Sequence, residues 1–431
     1  MKYYSTRGKH SVNIQQAVLN GLADDGGLYM PAYIPQLPAS FFENIENKSL
    51  PEIGFEVAKL FLEDSVPDEV LKGMIDEVLN FDIPVVPVHH NIYSLELFHG
   101  PTLAFKDVGA RFMARLMSYY ADGNAMKVIA ATSGDTGSAV AAGFYNVPGI
   151  NVYILYPKGK VSPLQEKQLT TWGGNIKALE IEGTFDDCQA FAKQLLADEE
   201  LQQHQVTSAN SINIARLIPQ SFYYFWAYAQ LKKENKKIVF SVPSGNFGNL
   251  TAGLLAYKMG LPVDRFIAST NINNVVPQYL ESGTYEARPS LSTVSNAMDV
   301  GNPSNFERMK DLFQEDVAKF RKIISGHYFS DEETKATVQK VYKESGYLLD
   351  PHGAVAYLGL VQYQKEQQED FNGILLETAH PAKFIETVEE SILERIEVPE
   401  KLSAFGKKEK VADLFPVDFQ QVKAFIKQHL E

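Results

Sequence analysis

The sequence contains little that would suit a secreted, membrane-spanning or disulfide-stabilised protein. Cys188 is the single cysteine among 431 residues, so the chain cannot form an internal disulfide. No apolar run reaches the ~20 residues that cross a bilayer, and the N-terminal stretch lacks the apolar segment of a secretory signal. These absences predict a cytoplasmic protein that has no membrane partner.

Positive charge is also scarce. The chain has 40 basic and 53 acidic residues, which gives a net charge of −13, and its lysines and arginines form no block. Such a chain repels nucleic acid and anionic membranes, so we expect neither as a partner. An anionic small molecule would have to be held by local positive groups. We assign no metal ligands in this sequence.

The order of the apolar segments predicts an α/β fold with mostly parallel sheets. Continuous apolar runs bounded by Gly and Pro alternate with helical patterns, which is typical of buried parallel strands. There are more alternations than one small sheet needs, so we predict two open α/β units around a cleft. The predicted strands are KVIAAT (127–132), NVYILYP (151–157), IKALEI (176–181), KIVFSVPS (237–244), RFIASTN (265–271) and GILLETA (373–379).

The remaining segments suggest domain borders. Residues 1–90 are rich in turns and are predicted to form an N-terminal cap domain. Residues 91–431 would contain both α/β units, the smaller at about 110–220 and the larger made of the remainder. The charged stretch 305–346 is predicted to be a solvated helical layer, and 412–431 a docked terminal helix.

A glycine-rich turn follows the strand KIVFSVPS. It places Gly245, Asn246, Phe247, Gly248 and Asn249 directly before a helix. The unpaired N–H groups and the positive dipole end of a helix start favour a phosphate there. The turn has neither the spacing of a dinucleotide fingerprint nor the lysine of a P-loop. A plain tight turn without a ligand explains the same residues equally well.

A second turn of this kind, ATSGDTG, follows the strand KVIAAT. Ser133, Thr136 and the N–H groups around Gly134 could hold another anion, such as a carboxylate. Because both turns lie at the carboxyl ends of strands, they indicate a ligand with two acidic ends.

Two further segments supply polar side chains. In SANSINIARL, Arg216 lies in an apolar helical stretch, where its guanidinium should meet an anion, and phosphate suits its geometry. Asn210 could join that site or could cap a helix. In LLETAHP, the hydroxyl of Thr378 follows a strand and could hydrogen-bond a ring nitrogen. His380 is more simply explained as a packed turn residue.

Lys106, in FHGPTLAFKD, is the candidate nucleophile. Its amine follows an apolar stretch beside Phe105, and partial desolvation should lower its pKa and expose the free base. Such lysines form Schiff bases with carbonyl compounds. The alternative is a surface lysine at a helix start, which is a poor place for a cation. Combined with a phosphate turn and a hydroxyl for a ring nitrogen, Lys106 suggests pyridoxal phosphate as cofactor.

The same motifs resemble one known family. In this order, over roughly residues 90–390, the chain resembles the longer type of threonine synthase at FHGPTLAFKD, ATSGDTG, YPKGKVSPLQEKQ, SANSINIARL, VPSGNFGNLTAGLLA, SNAMDV and TAHPAKF. The resemblance implies the pyridoxal-phosphate fold of tryptophan synthase β chains. It also implies conversion of O-phospho-L-homoserine and water to L-threonine and phosphate, the last step of threonine biosynthesis.

The resemblance assigns roles around the cofactor. Lys106 would be the Schiff-base lysine, residues 245–249 would hold the cofactor phosphate, and Thr378 would face the pyridine nitrogen. Asp135 receives no such role. An aspartate facing the cofactor's ring oxygen would repel it unless the carboxyl were protonated or turned aside.

The resemblance also assigns the substrate contacts. Asn210 and Arg216 would hold the substrate phosphate, and Ser133 and Thr136 would lie near the substrate carboxylate. Two alternatives stay open: a phospho-lyase or dehydratase on the same scaffold that gives 2-oxobutyrate, and a catalytically silent protein that binds a phosphorylated ligand. The oligomeric state, monomer or homodimer, is left undetermined.

Overall fold

The most apolar segments of the chain form its buried strands. The computed structural model describes residues 1–8, 10–367 and 370–429. The strands Met126–Ala131 and Phe371–Glu377 are buried along their whole length. Burial of every residue requires helices on both faces of a sheet, as in parallel α/β proteins.

The elements follow one another with short connections. The strands are β1 (Lys2–Ser5), β2 (Ser11–Asn13), β3 (Tyr29–Pro31), β4 (Val85–His89), β5 (Ile92–Glu96), β6 (Met126–Ala131), β7 (Ile150–Pro157), β8 (Ile176–Ile181), β9 (Val206–Ser208), β10 (Lys237–Pro243), β11 (Arg265–Thr270), β12 (Ile324–Tyr328), β13 (Phe371–Glu377) and β14 (Asp413–Phe415). The α-helices are α1 (Ile14–Asn20), α2 (Ala39–Glu43), α3 (Leu50–Leu62), α4 (Asp68–Val78), α5 (Lys106–Ala121), α6 (Asp135–Phe144), α7 (Pro163–Thr170), α8 (Phe185–Ala197), α9 (Glu199–Gln202), α10 (Ile214–Leu217), α11 (Phe222–Leu231), α12 (Gly248–Lys258), α13 (Val275–Ser282), α14 (Phe306–Leu312), α15 (Val317–Ile323), α16 (Asp331–Ser345), α17 (Pro351–Glu366), α18 (Ile385–Ile392), α19 (Glu400–Gly406) and α20 (Phe419–Gln428).

Three sheets organise these elements. A small antiparallel sheet has the order β2-β1-β3, a six-stranded sheet has the order β12-β11-β10-β13-β5-β4, and a five-stranded sheet has the order β14-β8-β7-β6-β9. The five-stranded sheet is parallel throughout, and in the six-stranded sheet only β4 pairs antiparallel. Two α/β units with mostly parallel sheets are therefore present, as predicted.

The ends of the chain pack on these units. The strand β4 pairs with β5, which favours a cap border before Val85, whereas the border at residue 90 stays a prediction. Asp413–Phe415 forms the edge of the smaller sheet, so the terminal segment packs with that unit rather than with the larger one. Of the terminal helix predicted over 412–431, the structure shows α20, which buries Val422 and Ile426 in the same cluster as Cys188, whereas Asp413–Phe415 is a strand and residues 430–431 lie outside the described part.

The prediction of a solvated helical layer at 305–346 was wrong in part. Three helices occur there, but Ile324–Tyr328 is strand β12, which pairs parallel with β11. Phe306 and Phe320 lie in the main core. Arg308 is fully buried, where its guanidinium donates to the carbonyl oxygens of residues 29, 211 and 212. The many charges on neighbouring helix faces concealed these inward residues.

The two large sheets direct their carboxyl ends at one another. The segments that follow β6, β10 and β13 converge in the crevice between the units, the usual ligand position in open α/β sheets. Among the described residues, no helix has the length and apolar character needed to cross a bilayer.

Candidate active site

One cavity lies where these strand ends converge. It encloses about 770 Å³ when its solvent-open part is included, which falls within the range of small-molecule sites. All eleven residues selected from the sequence line it: Lys106, Ser133, Thr136, Asn210, Arg216, Gly245, Asn246, Phe247, Gly248, Asn249 and Thr378. The fold therefore brings together segments that are distant in the chain.

The turn between β10 and α12 offers backbone donors to this cavity. Within the described part of the chain, the N–H groups of residues 245–249 have no hydrogen-bond acceptor. The Ser244 N–H before this run donates to Ser269 O, and the Leu250 N–H after it donates to Asn249 Oδ1. Five neighbouring unpaired donors at the start of a helix form an anion site.

Close packing fixes the shape of this turn. Phe247 adopts the left-handed conformation with φ 60°, and the Asn249 side chain donates to Pro243 O at 2.7 Å. A Cβ on Gly245 would lie 2.5 Å from the carbonyl oxygen of Ala297, so only glycine fits there without a shift of the backbone.

Lys106 is the first residue of α5. The N–H of Phe105 donates to Thr378 O at 2.9 Å, which ties the start of this helix to the end of β13. The Lys106 side chain is half-buried and faces the cavity, and no described residue forms a hydrogen bond or ion pair with its amine. Burial, partly offset by attraction to Asp135, lowers the pKa of Lys106 to about 8. A sizeable fraction is then free amine near neutral pH.

Thr378 lines the cavity and directly follows Glu377, whose carboxyl is neutral. No described residue forms a hydrogen bond with the Thr378 side chain, which lines the cavity. The preceding Glu377 is buried; burial and repulsion from Asp350 raise its pKa well above the usual range, so it holds a proton. The N–H of Asp350 donates to Glu377 Oε1 at 2.6 Å. The Oδ1 of Asp350 lies 3.1 Å from Nδ1 of His352, which lines the cavity.

Arg216 brings an unpaired buried cation to the cavity. It is 2% exposed, and its Nη1 donates to Ala209 O at 2.5 Å. Its Nε has no hydrogen-bond partner among the described residues. Burial lowers the pKa of Arg216 to about 10, opposed by attraction to Asp107, so the group stays charged at neutral pH. A buried guanidinium with a free donor is suited to an anionic ligand.

The turn between β6 and α6 contributes a second set of donors. The hydroxyls of Ser133 and Thr136 line the cavity and have no partner in the described ranges. The N–H groups of residues 133, 135 and 136 are likewise without an acceptor there. This turn can therefore accept a carboxylate or a similar anion.

Asn210 is more constrained than the sequence suggests. Its Nδ2 donates to Ala131 O at 2.7 Å, and its Oδ1 accepts from Ala131 N at 3.0 Å. The side chain therefore joins the segment to the end of β6 and does not cap a helix. The cap of α10 is Asn213, whose Oδ1 accepts from Ala215 N. Only the remaining N–H and lone pair of Asn210 are available to a ligand.

Lys383 also lies close to the site, although the sequence did not identify it. Its Nζ lies 2.7 Å from Asp135 Oδ1 in a buried ion pair, and Gln165 Nε2 donates to the same oxygen at 2.7 Å. Asp135 is therefore turned aside, although its neighbours in the same turn line the cavity. The motif TAHPAKF contains this lysine, but nothing in the sequence pairs it with Asp135.

Comparison with known proteins first defines the class. A family profile described as pyridoxal-phosphate dependent enzyme matches residues 86–376. The cavity residues named above lie within this match, except Thr378, which follows its end by two residues. The chain is thus a pyridoxal-phosphate-dependent enzyme of the α/β type.

Further matches narrow the class to one family. Profiles for the threonine synthase N terminus and C-terminal region match residues 2–79 and 353–426. Threonine synthase from Haemophilus influenzae is 46% identical over 420 residues, 97% of both chains. Crystal structures of threonine synthase from Escherichia coli (42% identity, TM-score 0.94, all of both chains) and, with pyridoxal phosphate bound, from Brucella melitensis (35%, 0.92, all of both chains) are also similar. The chain belongs to the threonine synthase family.

Proposed function

We propose that this chain converts O-phospho-L-homoserine and water to L-threonine and phosphate, with Lys106 as the lysine that binds pyridoxal phosphate. The observation that carries this proposal is one cavity that combines a desolvated amine with two separate sets of unpaired anion donors. A phosphorylated amino acid and a phosphorylated aldehyde together need these groups.

The residues fit the cofactor. The five unpaired N–H groups of residues 245–249 would hold its phosphate, since a helix start favours an anion. The free hydroxyl of Thr378 would hydrogen-bond its ring nitrogen without requiring a positive charge there. When bound, pyridoxal phosphate supplies an electron sink for negative charge next to the substrate's amine-bearing carbon.

Separate groups would bind the substrate. The Arg216 guanidinium, which lines the cavity, would hold the leaving phosphate, because its planar fork pairs with phosphate oxygens. Ser133 and Thr136 would hold the carboxylate through their free hydroxyls and neighbouring N–H groups. With both ends fixed, the carbon atoms between them are held beside Lys106.

Lys106 would also act as the general base. An amine with a pKa of about 8 can take a proton from the α-carbon and return it at neutral pH.

Product analysis tests this proposal. The full-length protein is incubated with pyridoxal phosphate and O-phospho-L-homoserine, and phosphate, threonine and 2-oxobutyrate are measured together. Equal amounts of phosphate and threonine are expected, and Lys106→Arg should abolish both, whereas Lys401→Arg at the surface should not. Phosphate with 2-oxobutyrate would favour the lyase alternative, and binding without phosphate release would favour the silent binding protein.

Other expectations stay predictions. They are the domain borders at residues 90, 110 and 220, a cytoplasmic location, and a monomeric or homodimeric state. The substrate, by contrast, is a small molecule, as the family implies.

A further inference from the structure

A buried ion pair lies behind the second anion turn. Asp135 Oδ1 lies 2.7 Å from Lys383 Nζ, and the two side chains are 4% and 0% exposed. Asp135 follows Ser133 and precedes Thr136, which both line the cavity, yet Asp135 itself does not. The carboxylate therefore faces the lysine rather than the ligand space.

Neighbouring contacts hold this orientation. Gln165 Nε2 donates to Asp135 Oδ1 at 2.7 Å. Gly134 has φ 144°, and a Cβ there would lie 2.7 Å from the Gln165 side chain, so the turn is packed directly on that amide. The conformation of the Asp135 side chain is thus set by its surroundings.

Lys383 also reaches the segment that carries the nucleophile. Its Nζ donates to Thr102 O at 2.9 Å, and Thr102 precedes Lys106 by four residues. The lysine joins the loop before α5 to the turn before α6. Loss of Lys383 would therefore affect both of these segments.

The pair also sets the charge near Lys106. Burial alone would raise the pKa of Asp135, but attraction to Lys383 and Lys106 and the bond from Gln165 lower it to about 2, so the carboxylate is ionised. Attraction to Asp135 raises the pKa of Lys106, and repulsion from Lys383 and Arg216 lowers it. With Lys383 present, the carboxylate is neutralised and favours the protonated amine less.

We propose that Lys383 is a positioning residue that neutralises Asp135 and turns its carboxylate away from the cavity, so that the wall beside Lys106 carries no net charge. This inference rests on the proposed function, in which that wall faces the cofactor's ring. A bare carboxylate there would repel the ring oxygen and would hold Lys106 in its protonated form.

The effect of Lys383 on the charge near Lys106 is tested by comparing the pKa of Lys106 in two single variants, Lys383→Met and Asp135→Asn. Among the described residues, the charged groups that act on the Lys106 amine are Asp135, Arg216 and Lys383. In the full-length protein without added cofactor, the pH dependence of Lys106 labelling by an amine-reactive reagent is followed by mass spectrometry. Lys383→Met should shift the midpoint upward by about one pH unit, and Asp135→Asn should shift it downward. The double variant should return it close to the starting value.

Cofactor affinity provides a second readout. Lys383→Met should weaken binding of pyridoxal phosphate about tenfold, and Lys383→Met with Asp135→Asn should recover most of the loss. Lys383→Arg keeps the charge and should bind nearly as well as the original chain. Lys401→Met is the matched control, because Lys401 donates to the carbonyl of His99 in the loop before α5 but is exposed and pairs with no carboxylate in the described part of the chain.

The outcomes separate this inference from the proposed function. Shifts of the same sign in both single variants, or no shift in Lys383→Met, would overturn the charge role and leave only a packing role. If the original chain binds no cofactor at Lys106, the proposed function itself fails, whatever the variants do.

Discussion

Replacing Arg216 with lysine isolates the contribution of its guanidinium fork. In the structure, Nη1 donates to Ala209 O and Nε is enclosed by protein atoms, so Nη2, which has no partner among the described residues, is the donor left for a phosphate. A hydrogen bond to a charged group contributes about 1.5–3 kcal/mol. Lysine keeps the charge but loses one donor of the fork. We therefore expect kcat/KM for O-phospho-L-homoserine to fall by about 10- to 150-fold.

The assay is steady-state release of phosphate, with cofactor affinity measured in parallel. Arg265→Lys is a matched control, because the Nε of Arg265 is also buried and without a partner among the described residues but lies outside the cavity. It should leave kcat/KM unchanged. Arg216→Lys should leave cofactor affinity unchanged, because the cofactor phosphate is assigned to residues 245–249. An unchanged kcat/KM in Arg216→Lys would refute the assignment of Arg216 to the substrate phosphate. A loss of cofactor affinity would instead indicate that Arg216 binds the cofactor phosphate.

Three further predictions follow from single sites. Gly245→Ala should weaken pyridoxal phosphate binding at least about tenfold in a titration, because its Cβ would lie 2.5 Å from a carbonyl oxygen; Gly73→Ala, which meets nothing within 4 Å, should not. The rate of cofactor uptake should rise with pH and reach half its maximum near pH 8, where Lys106 loses its proton; a rate independent of pH between 7 and 9 would contradict this. Glu377→Gln should reduce the loss of unfolding free energy with rising pH: the pKa of Glu377 is raised in the folded state, so its contribution is complete below the unfolded pKa of about 4.3 and declines by about 1.4 kcal/mol per pH unit above it. The free energy of unfolding is measured by urea titration at pH 5 and pH 8 in both proteins. An equal change in this free energy between the two pH values in the original chain and in Glu377→Gln would count against a protonated Glu377.

Much of the site could be predicted from sequence because strand ends carry local signals. A buried apolar strand followed by glycine and then by a helical pattern fixes where backbone donors become unpaired. The turn at residues 245–249 and the turn with Ser133 and Thr136 follow this rule. Lys106 was identifiable because an amine after an apolar stretch is unusual.

The remaining features depend on contacts between distant segments. The partner of Asp135 is a lysine far along the chain, and no local spacing indicates that they meet. The side chain of Asn210 bonds the backbone of Ala131, a contact that only the pairing of β6 with β9 creates. Such partners are set by sheet order rather than by local propensity.

The fold shows the same division. The long, continuously apolar strands were predicted close to their observed bounds, because burial on both faces leaves a clear pattern. The edge strand β12 was missed, since ISGHY contains glycine and polar residues and lies between charged helices. An edge strand needs fewer apolar residues, so its signal in the sequence is weak.

The most direct test of the central claim is chemical trapping. The holoenzyme is treated with borohydride, digested and analysed by mass spectrometry, which locates the lysine joined to the cofactor. We expect a single modified peptide with the label on Lys106. A label on Lys383, a buried lysine close to the site, or no label at all, would contradict the account.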